Sequence, residues 1–327
     1  MPVNRVALLS RSANLAYFQP LLNAIDPALQ IATWPDPACL NADIAVCWNS
    51  PPGVYARMPE LRLIHSIAAG VDNVLADQET RGLPVCRVVD PMLAQGMLQY
   101  VLWAVLHFHR KLDVAMANQR QALWQRPRQQ AAKEFRVGLM GLGELGGLIA
   151  ATLPSLGYSV NGWSRTPRAQ ASAEARAVAH PAASGAAPAV RMFSGAEDYE
   201  EFLGQTDLLV CLLPLTESTR GILDRRTFAA LPPGAAVVNC GRGEHLVADD
   251  LIEALQSGHL RGAVLDVFTQ EPLAADHPLW RTPGVVVTPH MATMAAFETV
   301  AAQIVANIHR LRDGLPLVNQ VDMAKGY

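Results

Sequence analysis

The chain is short of charge. Only 17% of its 327 residues are Asp, Glu, Lys or Arg, and 26 basic residues nearly balance 29 acidic ones, for a net −3. Without an excess of positive charge there is no electrostatic footprint for nucleic acid and no polybasic face for anionic lipid, so neither is expected as a partner. Half of the residues are apolar, which with so little charge excludes disorder as the general state. Cysteine is scarce and poorly spaced for cross-linking: Cys39, Cys47, Cys86, Cys211 and Cys240 are odd in number, and none forms a Cys-x-x-Cys pair. Neither a disulfide framework nor a metal site is expected, and thiols inside apolar runs suit a reducing cytoplasm. Long apolar runs are missing as well. The apolar stretch near the N-terminus is too short for a signal-peptide core, and the run 101–108 is interrupted by His107 and followed by His109, Arg110 and Lys111, so neither export nor a membrane span is expected. No repeat of solenoid period is visible.

What is present is alternation. Strand-like segments 6–9, 44–48, 62–67 and 85–88 precede a long helical stretch; 136–140, 159–163, 208–212, 235–239, 263–268 and 285–288 follow it. Strands too apolar to face water, alternating with helical patterns, predict parallel sheets covered by helices. At about 150 residues per domain the length suggests two domains. A division at the helix 92–110 gives a first domain, 1–98, completed by 292–327, and a second, 99–291. The expected fold is α/β: two doubly wound parallel-sheet domains, one flavodoxin-like and one Rossmann-like, with two chain crossings and a cleft between them. A final helix is expected over 292–312, ending at the Gly314 to Pro316 stop signal. The segment 168–190 is rich in Ala, Ser and Pro and reads as a surface insertion; a lid is the other reading.

Directly after the strand 136–140 comes Gly141-Leu-Gly143-Glu144-Leu145-Gly146, leading into a helical pattern. In that context G-x-G-x-x-G points to a dinucleotide pyrophosphate: a tight turn, close backbone approach, helix against strand, and free N–H groups at the helix start. An NAD site usually places an acid about 20 residues on, to bind the ribose 2′-hydroxyl. Here the next strand ends in Ser164-Arg165-Thr166-Pro-Arg168, with no acid. An acid would repel a 2′-phosphate, whereas Ser164, Arg165, Thr166 and Arg168 would bind it, so NADP is the expected cofactor and NAD the weaker alternative.

Three ionisable residues follow three strands of the second half in the same way: Arg242 after 235–239, Glu271 after the Asp266-Val-Phe run, and His290 after 285–288. Ligands of open α/β sheets bind at the carboxyl ends of the strands. An Arg can hold a carboxylate bidentately and polarise the adjacent carbonyl, a His can transfer a proton, and a Glu can orient that His and hold its charged form. Ile67-Ala-Ala69-Gly70-Val-Asp72, after the strand 62–67, is a run of small residues that would expose backbone N–H groups to a carboxylate; an ordinary strand-to-helix turn is the alternative. His107-x-His109 is no metal pair, because helical residues two apart diverge.

With these motifs the chain resembles, over essentially its full length, the D-isomer-specific 2-hydroxyacid dehydrogenases. The resemblance rests on G-x-G-x-x-G, Leu212-Leu213-Pro214-Leu-Thr216, the Arg-Gly loop at 242, Asp-Val-Phe-x-x-Glu-Pro and Pro-His. Within the family it is most similar to the glyoxylate/hydroxypyruvate reductase branch, through Val46-Cys-Trp48 with Pro51-Pro52, the Ser164-Arg-Thr segment and the tail 320–327. What the resemblance implies is an NADP-dependent, D-specific reductase of small 2-keto acids. Arg242 would be its substrate anchor, His290 its acid/base and Glu271 the partner of His290. Leu213, Pro214, Cys240, Gly241 and Asp266 would join the cofactor residues, and Trp48, Ala69 and Gly70 would join Arg242 and His290 at the substrate. It also implies a homodimer formed through the helices around 92–123. Trp48 reads equally as a core aromatic. A non-catalytic, nucleotide-sensing interaction protein on the same fold is the alternative function. Two departures stand out: Gly241 occupies a position where Ala is common, a change expected to matter little, and 169–190 has no expected counterpart.

Overall fold

Apolar strands pair in parallel into two separate sheets. The computed structural model describes residues 3–75, 77, 80, 82–165 and 190–322, so Thr166, Arg168 and nearly all of the 169–190 insertion lie outside the described residues. The chain divides into two units, Met1–Leu93 with Met294–Tyr327, and Ala94–Thr293.

The first unit holds β1 (Arg5–Leu9), β2 (Gln30–Thr33), β3 (Ile44–Cys47), β4 (Leu63–Ser66) and β5 (Val85–Cys86), in the order β2-β1-β3-β4-β5. β3 is buried at every position because its Ile-Ala-Val-Cys sequence leaves no polar face, as a central parallel strand requires. Ala7, Leu9, Ala45, Cys47 and Ile64 point to one core with Tyr55, Met58 and Val321. The helix Phe297–Arg312 returns to this unit. Its buried Asn307 donates to Val318 O at 2.9 Å and lies 3.2 Å from Nε2 of His65 on β4. His65 Nδ1–H donates to Ser66 O at 2.8 Å, which by itself raises the ring's pKa, but burial outweighs it and pushes the pKa down to about 4, so the fully buried ring is neutral.

The second unit holds β6 (Arg136–Met140), β7 (Ser159–Ser164), β8 (Arg191–Ser194), β9 (Leu208–Cys211), β10 (Ala235–Asn239), β11 (Leu260–Leu265) and β12 (Val285–Val287), in the order β12-β11-β10-β9-β6-β7-β8. Alternation sorts the two faces. Val137, Leu139, Val210, Val238 and Val264 join a cluster with Val101, Val105 and Phe108 of the helix Pro91–His109. Met140, Leu209, Cys211, Val237 and Leu265 join another with Phe202 and Phe228. Strand order reverses between β6 and β9, which opens a crevice beyond their carboxyl ends.

Two edge strands escape the sequence reading. β2 and β8 carry only one fully buried residue between them, Phe193, so neither shows an apolar run. β11 begins at Leu260, three residues before the expected 263, and the last helix begins at Phe297, five after the expected 292.

Candidate active site

The fingerprint turn sits at the crevice. Gly141 adopts φ +98°, and a Cβ on Gly146 would come within 2.0 Å of Gly141 O, so the turn tolerates no side chain at either position. Above Gly143, the N-cap of the helix Glu144–Thr152, a Cβ would meet nothing within 4 Å. That open cradle beside the unpaired N–H groups of the first helical turn, which includes Glu144, Leu145 and Gly146, fits a pyrophosphate. Leu213 and Pro214 follow β9 on the other side of the crevice. At the end of β7, Arg165 follows Ser164, and its Nη1 donates to Ser218 Oγ at 2.6 Å and Thr216 Oγ1 at 3.3 Å. These two hydroxyls were absent from the sequence reading, although Thr216 closes the Leu-Leu-Pro-Leu-Thr motif.

The β10 loop presents Arg242. Asn239 Oδ1 accepts from Gly241 N–H at 3.2 Å, and Asn239 Nδ2 donates to Arg242 O at 2.9 Å, so the loop is folded back on its own strand. The half-buried guanidinium donates to Gly241 O at 2.7 Å. Cys240 is buried, and burial together with the nearby Asp266 carboxylate raises its thiol pKa well above the ordinary value, which makes it an apolar lining residue. Cys86 and Cys211 are pushed up to about 12 by burial in the same way.

His290 and Glu271 meet. His290 Nδ1 lies 2.8 Å from Glu271 Oε2, and Glu271 Oε1 accepts from Phe268 N–H at 2.9 Å. Facing a carboxylate, Nδ1 carries the proton toward Glu271, which leaves Nε2 as the nitrogen for a reacting group. Burial alone would raise the Glu271 pKa; hydrogen bonds from His290 and Phe268 and the charges of His290 and Arg242 outweigh it and draw it below its ordinary value. Arg242 therefore acts on the same carboxylate electrostatically.

The backbone of His290 is strained, with φ +52°, a conformation that costs about 1–3 kcal/mol outside glycine. Asp266 offsets it. Its carboxylate accepts from Thr288 Oγ1 at 2.6 Å, Met291 N–H at 2.8 Å and Ala292 N–H at 2.9 Å, while its carbonyl accepts His290 N–H at 2.8 Å. Hydrogen bonds to a charged group are worth about 1.5–3 kcal/mol each, so this clamp exceeds the strain. Tyr100 extends the network, its hydroxyl 2.5 Å from Thr288 Oγ1. Asp266, expected among the cofactor residues, is 1% exposed and in this structure holds the loop that carries His290. Tyr100, Thr288 and Asn239 escaped the sequence reading, since no motif marks them.

In the first unit, Trp48 follows β3 and is half-buried, its N–H donating to Leu9 O at 3.1 Å. After β4, Ser66 Oγ accepts from Ala68 N–H at 3.1 Å and donates to Gly70 O at 3.2 Å, shaping the loop that carries Ala69 and Gly70. His107 and His109 are both buried, and His109 Nδ1 lies 3.0 Å from the Tyr158 hydroxyl. Among the described residues no group of three or more His, Cys, Asp or Glu could hold a metal, and no helix is long and apolar enough to cross a membrane.

Residues 102–292 match the family model for the D-isomer specific 2-hydroxyacid dehydrogenase NAD binding domain. Glyoxylate/hydroxypyruvate reductase A of Serratia proteamaculans is 35% identical, covering 96% of this chain and 100% of the relative. Among solved structures, the NADPH-dependent glyoxylate/hydroxypyruvate reductase of Sinorhizobium meliloti, in complex with NADP and sulfate, is 33% identical at a TM-score of 0.83, covering 99% of this chain and 100% of that one. A D-isomer specific 2-hydroxyacid dehydrogenase of Xanthobacter autotrophicus, in complex with NADPH and MES, is 36% identical at a TM-score of 0.83 with the same coverage.

Proposed function

The chain belongs to the D-isomer specific 2-hydroxyacid dehydrogenase family, and we propose that it reduces small 2-keto acids, glyoxylate and hydroxypyruvate among them, to D-configured 2-hydroxy acids with NADPH. The observation that carries the reading is the assembled pair of His290 and Glu271, 2.8 Å apart, at neighbouring strand ends of the same sheet as Arg242. The reduced nicotinamide coenzyme supplies the hydride when bound. Arg242 holds the substrate carboxylate and polarises the neighbouring carbonyl. His290 gives the Nε2 proton to the carbonyl oxygen as the hydride adds to carbon, and Glu271 stabilises the imidazolium before that transfer. The balance is keto acid, NADPH and a proton giving hydroxy acid and NADP⁺.

Coenzyme choice rests on Arg165. No acid stands at the end of β7, and the guanidinium seated on Thr216 and Ser218 supports a 2′-phosphate partner, with Ser164, Thr166 and Arg168 as further candidates. NAD is the weaker cofactor. The second unit is assigned to the dinucleotide and the first to the substrate, through Trp48, Ala69 and Gly70. A homodimer is supported by exposed Trp103, Leu106, Leu112, Val114 and Met116 along the helices Pro91–His109 and Leu112–Arg120. The five buried free cysteines support a cytoplasmic location.

The test is NADPH oxidation over a panel of 2-keto acids. Turnover with glyoxylate and hydroxypyruvate is expected; tight NADPH binding without turnover on any keto acid would favour the nucleotide-sensing alternative.

A further inference from the structure

We propose that His245 is a positioning residue for this reaction: its buried imidazole fixes the main chain of Arg242 and so sets the direction from which the guanidinium meets the substrate. The inference rests on Arg242 being the substrate anchor.

Gly243–His245 form a single 3₁₀ turn with Arg242 as N-cap. The first N–H groups of such a turn lack internal partners, and a Glu or Gln at the third position often accepts the N–H of the cap residue. Here the third residue is a histidine. Its Nδ1 accepts Arg242 N–H at 2.9 Å, while Arg242 O receives Asn239 Nδ2 at 2.9 Å and His245 N–H at 3.1 Å. The main-chain N–H and C=O of the anchor are thus both held. Accepting at Nδ1 puts the ring proton on Nε2, which faces Pro214 O at 3.4 Å. The ring is 0% exposed, a position where an ionised glutamate would carry a heavy desolvation penalty that a neutral imidazole avoids. The mount is firm as well, because His245 O accepts Leu223 N–H at 2.8 Å.

The same ring changes the meaning of Gly241. A Cβ there would lie 2.7 Å from His245 Nδ1 and 3.1 Å from Leu213 O. The glycine expected to matter little is the space in which the imidazole sits.

His245→Leu keeps apolar bulk and removes the acceptor; His245→Asn returns an acceptor at the δ position. Both are measured as NADPH-saturated protein, by kcat/KM for glyoxylate and by calorimetric affinity for oxamate, a carboxylate that cannot be reduced. His245→Leu is expected to lose about tenfold or more in both quantities, the scale of one lost buried hydrogen bond, and His245→Asn to stay within about threefold of wild type. NADPH affinity should change less than about threefold in either, on the same scale. Wild-type oxamate affinity and kcat/KM in folded His245→Leu overturns the inference, as does His245→Asn falling equally far while melting like wild type. Should His245→Leu fail to fold, His245→Phe, which keeps a ring and removes the acceptor, decides: weaker oxamate binding supports the role, and unchanged oxamate binding overturns it. Arg242→Ala separates the two layers. If it leaves oxamate binding intact, the anchor assignment falls and His245 with it; if it abolishes binding while His245→Leu does not, only the His245 role falls.

Discussion

The two units are built alike at one end of their sheets and unlike at the other. In the first, Arg5 opens β1 and grips Asp43, just before β3, through Nη2 to Oδ1 at 2.7 Å and Nε to Oδ2 at 3.1 Å. In the second, Arg136 opens β6 and grips Asp207, just before β9, at 2.7 and 3.0 Å. Each aspartate also accepts the N–H of its arginine, so the same bidentate clamp ties the first strand to its neighbour across each switch point. At the carboxyl ends the likeness stops. The first unit offers small residues and backbone amides around Ala69 and Gly70, while the second offers Arg242, Glu271 and His290. One architecture has thus been used twice, and the three ionisable strand ends stand in the loops of only one copy.

The comparison breaks most readily at His290, the histidine that follows the last strand of the second unit. His290→Ala should lower turnover about 10²–10⁴-fold while leaving NADPH affinity and melting temperature near wild type, checked by steady-state rates and calorimetry. Next in size is Arg242→Lys. A lysine cannot replace a bidentate guanidinium, so kcat/KM should fall by about 1.5–3 kcal/mol, roughly ten- to a hundredfold, with coenzyme binding unchanged. Near wild-type kinetics in that variant would remove Arg242 from the substrate.

A third prediction sharpens the comparison within the second unit. Arg165→Ala should erase a preference for NADPH over NADH of at least roughly tenfold, through loss of NADPH affinity alone. In wild type that preference should shrink as salt rises. Equal kcat/KM for the two coenzymes would mean that Arg165 serves only Thr216 and Ser218.

The smallest effect on chemistry belongs to His65 of the first unit. Its folded pKa of about 4 lies below the ordinary 6.5, because burial opposes the charge. Between those values the unfolded chain takes up the proton and the folded chain does not, so stability should fall as pH drops from 6.5 toward 4. His65→Gln should flatten that slope in thermal melts at a series of pH values, at little cost to turnover per folded molecule. An unchanged slope would place the pH sensitivity elsewhere.

Central features were legible in the sequence because their physics is local. β10, Ala-Ala-Val-Val-Asn, is buried throughout and reads as a parallel strand, and the fingerprint glycines announce a turn whose geometry only glycine allows. Edge strands β2 and β8 were not legible, since a strand exposed on one side needs no apolar run. The three ionisable strand ends were visible as a pattern, but the clamp that aims one of them was not. Asp266 reaches Ala292, 26 positions on, and Tyr100 reaches Thr288, 188 away, and no spacing rule foretells such pairs. His245 carried a signal that went unread: it stands third in the turn after Arg242, where a capping side chain belongs.

The central claim is that this protein moves a hydride to a 2-keto acid from one side of the nicotinamide while His290 supplies the proton. The direct measurement uses NADPH deuterated on one or the other face of nicotinamide C4, with hydroxypyruvate as acceptor and the glycerate product analysed by mass and chirality. Deuterium at C2 from one face only, in product of D configuration, is the predicted result. Racemic glycerate, label from both faces, or product without label from either would contradict it.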